Sequence, residues 1–247
     1  MFNNRLPVSY YKELAALSEK HKVYIVQHVE NKKIFLKKIL TVYNLNVYEQ
    51  LFRQPARNVP RIHAMYESDG MLTIIEEYIS GDTLEEIVNI CGKIPEAEAV
   101  SYCMKLCDIL HELHSRKPPI IHRDIKPSNI MLTEDERIVL IDFNAARQCT
   151  NMSGRDTRLI GTEGYAAPEQ FGFGNSTSRS DIYAIGRLLE DITGLSSDQY
   201  TKISPKTKRV IAKCLEINPK DRFHDVQHLK SALKKICNYS SARSTYC

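Results

Sequence analysis

The sequence predicts an α+β fold in two lobes, a small strand-rich N-terminal lobe followed by a larger helical one. Two observations carry this. From Val23 to Lys38 the chain reads as two runs rich in β-branched and aromatic residues, VYIVQHV and KIFLKKI, separated by the polar turn Glu30-Asn31-Lys32. From about residue 82 onward the apolar residues recur at helical spacing instead, and strand-like pieces become short and isolated.

Taken in order, the two runs form a hairpin, and Asn44 to Arg53 reads as a helix. Met71 to Ile79 (MLTIIEEYI) is a further strand, entered through the turn Ser68-Asp69-Gly70. Asp82 is placed to cap a helix from Thr83 to Ile90. Pro95 opens a longer helix reaching about His114, with Val100, Leu106 and Leu110 on its apolar stripe. Ile120-Ile121 and the run Ile138 to Ile141 bracket a polar loop. The helices Arg179–Thr193, Pro205–Leu215 and Asp225–Ile236 complete the second half. The expected organisation is one domain, with an N-lobe over about 9–78, a C-lobe over about 79–236 and a polar tail at 237–247.

Composition sets broad limits. With 43% apolar and 26% charged residues the chain is an ordinary globular sequence. A net charge of +4, from 34 basic and 30 acidic residues, gives no general attraction to nucleic acid or anionic membrane. The segment Met1 to Val8 lacks the apolar core of a signal peptide, and no run approaches the roughly 20 apolar residues of a membrane span. Seven cysteines (91, 103, 107, 149, 214, 237 and 247) lie outside metal-ligand spacings. Cys103 and Cys107 share a helical face with Val100 and Leu110, so buried thiols are expected, and reduced thiols suit the cytoplasm.

The chemistry concentrates in the polar loop and just after it. His122-Arg123-Asp124-Ile125-Lys126-Pro127-Ser128-Asn129 fits the pattern H-R-D-x-x-x-x-N, and Asp142-Phe143-Asn144 follows the apolar run IVLI. Two more blocks follow in sequence, Gly161-Thr162-Glu163-Gly164-Tyr165-Ala166-Ala167-Pro168-Glu169 and Ser180-Asp181-Ile182-Tyr183-Ala184-Ile185-Gly186. Four ordered blocks make the chain, over about residues 10–236, similar to the Ser/Thr protein kinase family, in the small bacterial form that carries D-F-N.

That resemblance implies transfer of the γ-phosphoryl group of ATP to Ser or Thr hydroxyls of a protein substrate, with Mg²⁺. Such transfer asks the protein mainly for positioning and charge neutralisation. Asp124 would accept the hydroxyl proton, Asn129 and Asp142 would supply hard oxygen ligands to the metal, and Lys126 would reach the transferring phosphate. On the third strand the family's lysine falls at Lys37, in Ile34-Phe35-Leu36-Lys37, with Phe35 over the adenine; Lys38 is adjacent, and a one-residue slip exchanges the two faces. Glu49 is the candidate helical partner of that lysine. The backbone of Glu77 and Ile79 would meet adenine. Glu76, just before them, is a carboxylate at the back of the pocket that is costly unless paired, so either it meets Lys37 or the register differs by one. The resemblance further implies a buried ion pair between Glu169 and Arg222, and a loop offering Thr150, Ser153 and Thr157 as phosphorylation sites that Arg123 would read.

Three features depart from the family. The first glycine is Gly70, so no glycine-rich loop precedes Val23, and Leu17 to Lys22 must serve the phosphates without close backbone approach. Asn144 stands where the family has glycine, and Asn tolerates a left-handed backbone. The stretch from Gly186 to Arg222 is short, so a helix found there in other members is expected to be missing. The missing glycines and Phe35 leave a nucleotide-binding pseudokinase as an alternative to an active protein kinase; a small-molecule phosphotransferase on the same fold is the third reading, against which Gly161-Thr162 and Ala167-Pro168-Glu169 argue because they shape a peptide-binding platform.

Overall fold

The computed structural model describes residues 8–149, 162–171, 175–195 and 202–243. The first lobe is a five-stranded antiparallel sheet of β1 (Tyr11–Ser18), β2 (Val23–His28), β3 (Ile34–Leu40), β4 (Ile62–Ser68) and β5 (Met71–Glu77), in the order β1-β2-β3-β5-β4. The β2–β3 hairpin and β5 match the sequence expectation. β1 and β4 do not, because KELAALS and IHAMYES carry too many polar or weakly β-forming residues to signal a strand alone. Their order comes from partners, with β1 an exposed edge paired to β2.

Helix α1 (Leu45–Arg53) packs beside β4 and buries Val47, Tyr48 and Leu51 against the main core. The opposite face of the sheet carries a separate small cluster of Val26, Phe35, Ala64 and Ile75. Phe35 sits there, with Tyr11 edge-on at 5.3 Å and His63 at 4.7 Å. It does not face the cleft as expected. Strand alternation explains this, since Phe35 and Lys37 share one face while Leu36 and Lys38 share the other.

The lobes join through the short strand β6 (Asp82–Thr83), which pairs with β8 (Ile130–Leu132), itself paired to β9 (Ile138–Leu140). Gly81 makes this close approach possible. Its φ is 152°, and a Cβ there would lie 2.3 Å from the Leu132 carbonyl oxygen. Helix α2 (Leu84–Cys91) is capped by Thr83 rather than Asp82: the Thr83 hydroxyl accepts from the Glu86 N–H while the Glu86 carboxylate accepts from the Thr83 N–H, a capping box.

Helix α3 (Glu96–His114) is the spine of the second lobe, burying Val100, Cys103, Leu106, Cys107, Leu110 and Leu113. Cys103, Cys107 and Cys214 are all buried free thiols, and burial pushes the Cys103 thiol up to about 12. Around α3 pack α4 (Ser178–Ile192), α5 (Pro205–Cys214) and α6 (Val226–Arg243), with Ile182, Ile185, Leu189, Val210, Leu229 and Leu233 in one core. Helix α6 runs to Arg243, past the expected start of a polar tail. Among the described residues no helix separates α4 from α5. No helix of the described chain is long and apolar enough to cross a membrane.

Candidate active site

The polar loop leaves β7 (Ile120–Ile121) and returns into β8 through a single 3₁₀ turn at Pro127–Asn129. Two buried residues hold it. Asp181, on the first turn of α4 and fully buried, accepts hydrogen bonds from the His122 N–H (3.0 Å), the Arg123 N–H (2.8 Å) and the His114 ring (2.8 Å). Burial works to raise the Asp181 pKa, but these donors outweigh it and hold the carboxyl below its ordinary value. They also hold Arg123 at φ 70°, a left-handed conformation that a non-glycine residue keeps only when its surroundings impose it. His122 lies beneath, buried edge-on against Phe143 at 4.8 Å, and desolvation lowers its pKa so that it stays neutral.

At the front of the loop Asp124 is the centre of a hydrogen-bonded group. The Asn129 amide donates to the Asp124 carbonyl (2.8 Å) and to its Oδ2 (2.9 Å). The Thr162 hydroxyl donates to Asp124 Oδ1 at 2.7 Å, and Lys126 Nζ reaches Thr162 Oγ1 at 2.8 Å and Asp124 Oδ2 at 3.1 Å. Burial would raise the Asp124 pKa, yet the Thr162 hydrogen bond and the Lys126 cation prevail and leave it below the ordinary carboxylate value. Asp124 is therefore ionised at neutral pH, able to accept a proton, beside a hydroxyl that already donates to it.

Just after β9, Asp142 adopts φ 62° and accepts from the Asn144 N–H at 3.0 Å, so that its carboxylate is set by a turn closed on itself. It borders an opening of about 270 Å³ together with Lys20, His21, Lys22, Lys38, Thr41 and Asn144. The β1–β2 turn that supplies Lys20 to Lys22 is tied down by the Ile39 N–H on the Lys22 carbonyl (3.1 Å). Where the family has glycine amides, this chain presents side-chain cations.

Three of the sequence-predicted residues, Asp124, Lys126 and Asn129, thus meet in one hydrogen-bonded group, and Asp142 is tied to it through its neighbour Ile141, whose N–H donates to the Asn129 carbonyl at 2.9 Å. Lys37 does not join them. It points to the other face of β3, where its Nζ pairs with Glu13 at 2.7 Å. Lys38 faces the cleft instead and pairs with Glu76 at 2.5 Å, the side chains being 13% and 9% exposed. Burial pulls Lys38 down, but Glu76 and Asp142 outweigh that and hold its pKa above the ordinary lysine value. Glu49 also lies apart, on the outer side of α1, where Arg53 is 3.4 Å away. The cleft side of α1 carries Tyr48, whose hydroxyl donates to Asn144 Oδ1 at 2.8 Å. Glu77 has its N–H committed to the Arg61 carbonyl at 2.9 Å, which leaves its carbonyl as its only backbone group for a nucleotide; Ile79 follows it beyond the end of β5. Thr150, Ser153, Thr157 and Gly161 lie outside the described residues.

A family model described as a protein kinase domain matches residues 14–194. The chain belongs to the protein kinase family. Among similar proteins, serine/threonine-protein kinase B of a Synechocystis species is 30% identical over 201 residues, 71% of this chain and 34% of that protein. Serine/threonine-protein kinase D of the same organism is 32% identical over 72% of this chain and 38% of that protein. PknB of Mycobacterium leprae is 28% identical over 75% of this chain and 35% of that protein. The chain spans about a third of the length of these relatives. Kinases as a family use ATP with a divalent metal and act on proteins. Sequence reasoning missed two residues of this site: Asp181, quoted only as part of a block, and Tyr48, whose tyrosine in VYEQLF gives no sign of which side of the helix faces the cleft.

Proposed function

We propose that this kinase domain transfers the γ-phosphoryl group of Mg-ATP to Ser or Thr hydroxyls of protein substrates in the cytoplasm, its own chain among the candidate acceptors. The observation that carries this is the Asp124 group, in which an ionised, oriented carboxylate and a lysine ammonium already share one hydroxyl, that of Thr162. An incoming Ser or Thr hydroxyl meets the same two partners. Its oxygen forms the new bond to the γ-phosphorus, the bond from that phosphorus to the β-γ bridging oxygen breaks with its electron pair leaving on ADP, and the hydroxyl proton goes to Asp124. Lys126 stabilises charge on the transferring group.

The residues present suit a hard divalent cation. Asp142 offers a carboxylate, and Asn129, with its amide nitrogen spent on Asp124, offers a carbonyl oxygen; both are oxygen donors of the kind Mg²⁺ prefers. When bound, the metal neutralises phosphate charge. Because Lys38 lines the same opening as Asp142 and Lys37 does not, we assign the α- and β-phosphates to Lys38, with Lys20 and Lys22, which line that opening too, as further phosphate contacts. Six free cysteines among the described residues, with no disulfide, are in keeping with a reducing compartment.

Incubation with radiolabelled ATP and Mg²⁺, alone and with a generic basic protein, followed by phosphoamino-acid analysis, tests the proposal. Label on Ser or Thr that needs Mg²⁺ is the expected result. Nucleotide binding with no label would turn the reading to a pseudokinase.

A further inference from the structure

We infer that Glu76 on strand β5, and no carboxylate of helix α1, is the residue that positions the nucleotide-binding lysine of this kinase. The inference rests on the reading above that Lys38 contacts the phosphates. The geometry begins in the sheet register. Leu36 of β3 stands directly opposite Glu76 of β5, and Lys38 lies opposite Ile74. Lys38 and Glu76 are therefore diagonal neighbours on one face of two adjacent strands, close enough for a long side chain to span. They do so at 2.5 Å, both almost out of water. Glu76 stands near the end of β5, and among the described residues Lys38 is the cation paired with it.

Helix α1 has no carboxylate to offer in its place. Its single acidic residue, Glu49, turns outward to Arg53. Its inward residue at this level, Tyr48, is 3% exposed and is engaged with Asn144. The helix is fixed by other polar contacts: Gln50 donates to the Pro118 carbonyl at 3.1 Å, and Gln148 donates to Gln50 Oε1 at 2.8 Å and to the Asn46 carbonyl at 3.2 Å. The lysine is thus held within one sheet, and its placement does not depend on where α1 lies.

Asp142 lines the same opening as Lys38 and is the second carboxylate that acts on it. Glu76 draws the ammonium back from Asp142 and leaves that carboxylate to the metal. Without Glu76, Lys38 falls onto Asp142 and competes with Mg²⁺. This gives a signature that simple loss of packing would not: a higher half-saturating Mg²⁺ concentration.

The test measures Mg-ATP binding by calorimetry and transfer to a generic basic protein for wild type, Glu76→Gln, Glu49→Gln and Lys38→Met. Glu76→Gln is expected to lose on the order of 10- to 100-fold in kcat/KM for ATP, the range typical of removing a partner that orients a ligand-binding group, and to need more Mg²⁺. Glu49→Gln is expected to behave as wild type. A Glu76→Gln enzyme with wild-type constants, or a Glu49→Gln enzyme with the larger loss, overturns the inference. Should Glu76→Gln fail to fold, Lys38→Met/Glu76→Met replaces the whole pair with apolar side chains and strands no charge. Acting only through Lys38, Glu76 then adds no loss to that of Lys38→Met alone, and a further tenfold loss refutes it. If wild type transfers nothing, the proposed function falls, but Mg-ATP affinity still decides this inference: weaker in Glu76→Gln supports it, unchanged overturns it.

Discussion

Arg222 grips Glu169 through two parallel hydrogen bonds, Nη1 to Oε1 at 2.7 Å and Nη2 to Oε2 at 2.9 Å, with both residues buried. The pair is saturated. The Ser180 hydroxyl also donates to Glu169, Arg222 donates to the carbonyls of Arg179, Glu216 and Ile217, and the guanidinium stacks on Tyr183 at 4.9 Å. It ties the turn Pro168–Phe171 to the α4 N-terminus and to the segment between α5 and α6. Glu169→Gln or Arg222→Met strands a buried charge and is expected to cost about 3–5 kcal/mol. Urea denaturation measures this, and a loss below about 1 kcal/mol would contradict the pair's bracing role.

Asp181 gives a pH signature. Its folded pKa lies below the ordinary value of 3.8, so its contribution is complete above the unfolded pKa and is lost as pH falls through the folded one. The stability gap between wild type and Asp181→Asn should shrink as pH falls below about 4. Urea midpoints across that range check it. A gap that widens toward acid would show the sign to be wrong.

Gly186 lets α4 and α5 touch. A Cβ there would meet Cys214 Cβ at 2.5 Å and Leu215 Cδ2 at 3.1 Å. Gly186→Ala is expected to destabilise by about 1–3 kcal/mol despite alanine's better helix propensity. Thermal unfolding would show it, and an unchanged or raised Tm would mean that the helices can separate at little cost.

Phosphate binding by lysine side chains instead of glycine amides should respond to salt. Lys20 and Lys22 are exposed, so their attraction for ATP is screened over about 8–10 Å at physiological ionic strength. Mg-ATP affinity should fall steadily with added salt, and the slope should flatten in Lys20→Ala/Lys22→Ala. Calorimetry at several salt concentrations tests this; identical slopes in the two proteins would remove the turn from the site.

Much of this molecule was legible because its chemistry is local in sequence. The loop around Asp124 and the residues at Asp142 are short segments whose spacing alone brings them together once a strand separates them. Lys38 and Glu76 were not legible in the same way. Ile34-Phe35-Leu36 is apolar at every position, so it gives no alternation from which to read the phase of β3, and the wrong phase selects Lys37. Two local signs favour the phase found: it moves bulky Phe35 out of the cleft and gives Glu76 a cation. Glu49 failed for the analogous reason on a helix, since a nine-residue segment with Val47, Tyr48 and Leu51 buried leaves Glu49 outside the apolar stripe. β1 and β4 were missed because only pairing makes them strands.

The central claim is that Asp124 and Asp142 have separate tasks, base and metal ligand, and one comparison tests it most directly. Mg-ATP binding and phosphoryl transfer are measured side by side for wild type, Asp124→Asn and Asp142→Asn. The account predicts that Asp142→Asn loses Mg²⁺-dependent nucleotide binding and transfer together, whereas Asp124→Asn keeps binding within about twofold and loses on the order of 10²–10⁴ in rate. Equal labelling by wild type and Asp124→Asn at matched nucleotide occupancy would contradict it.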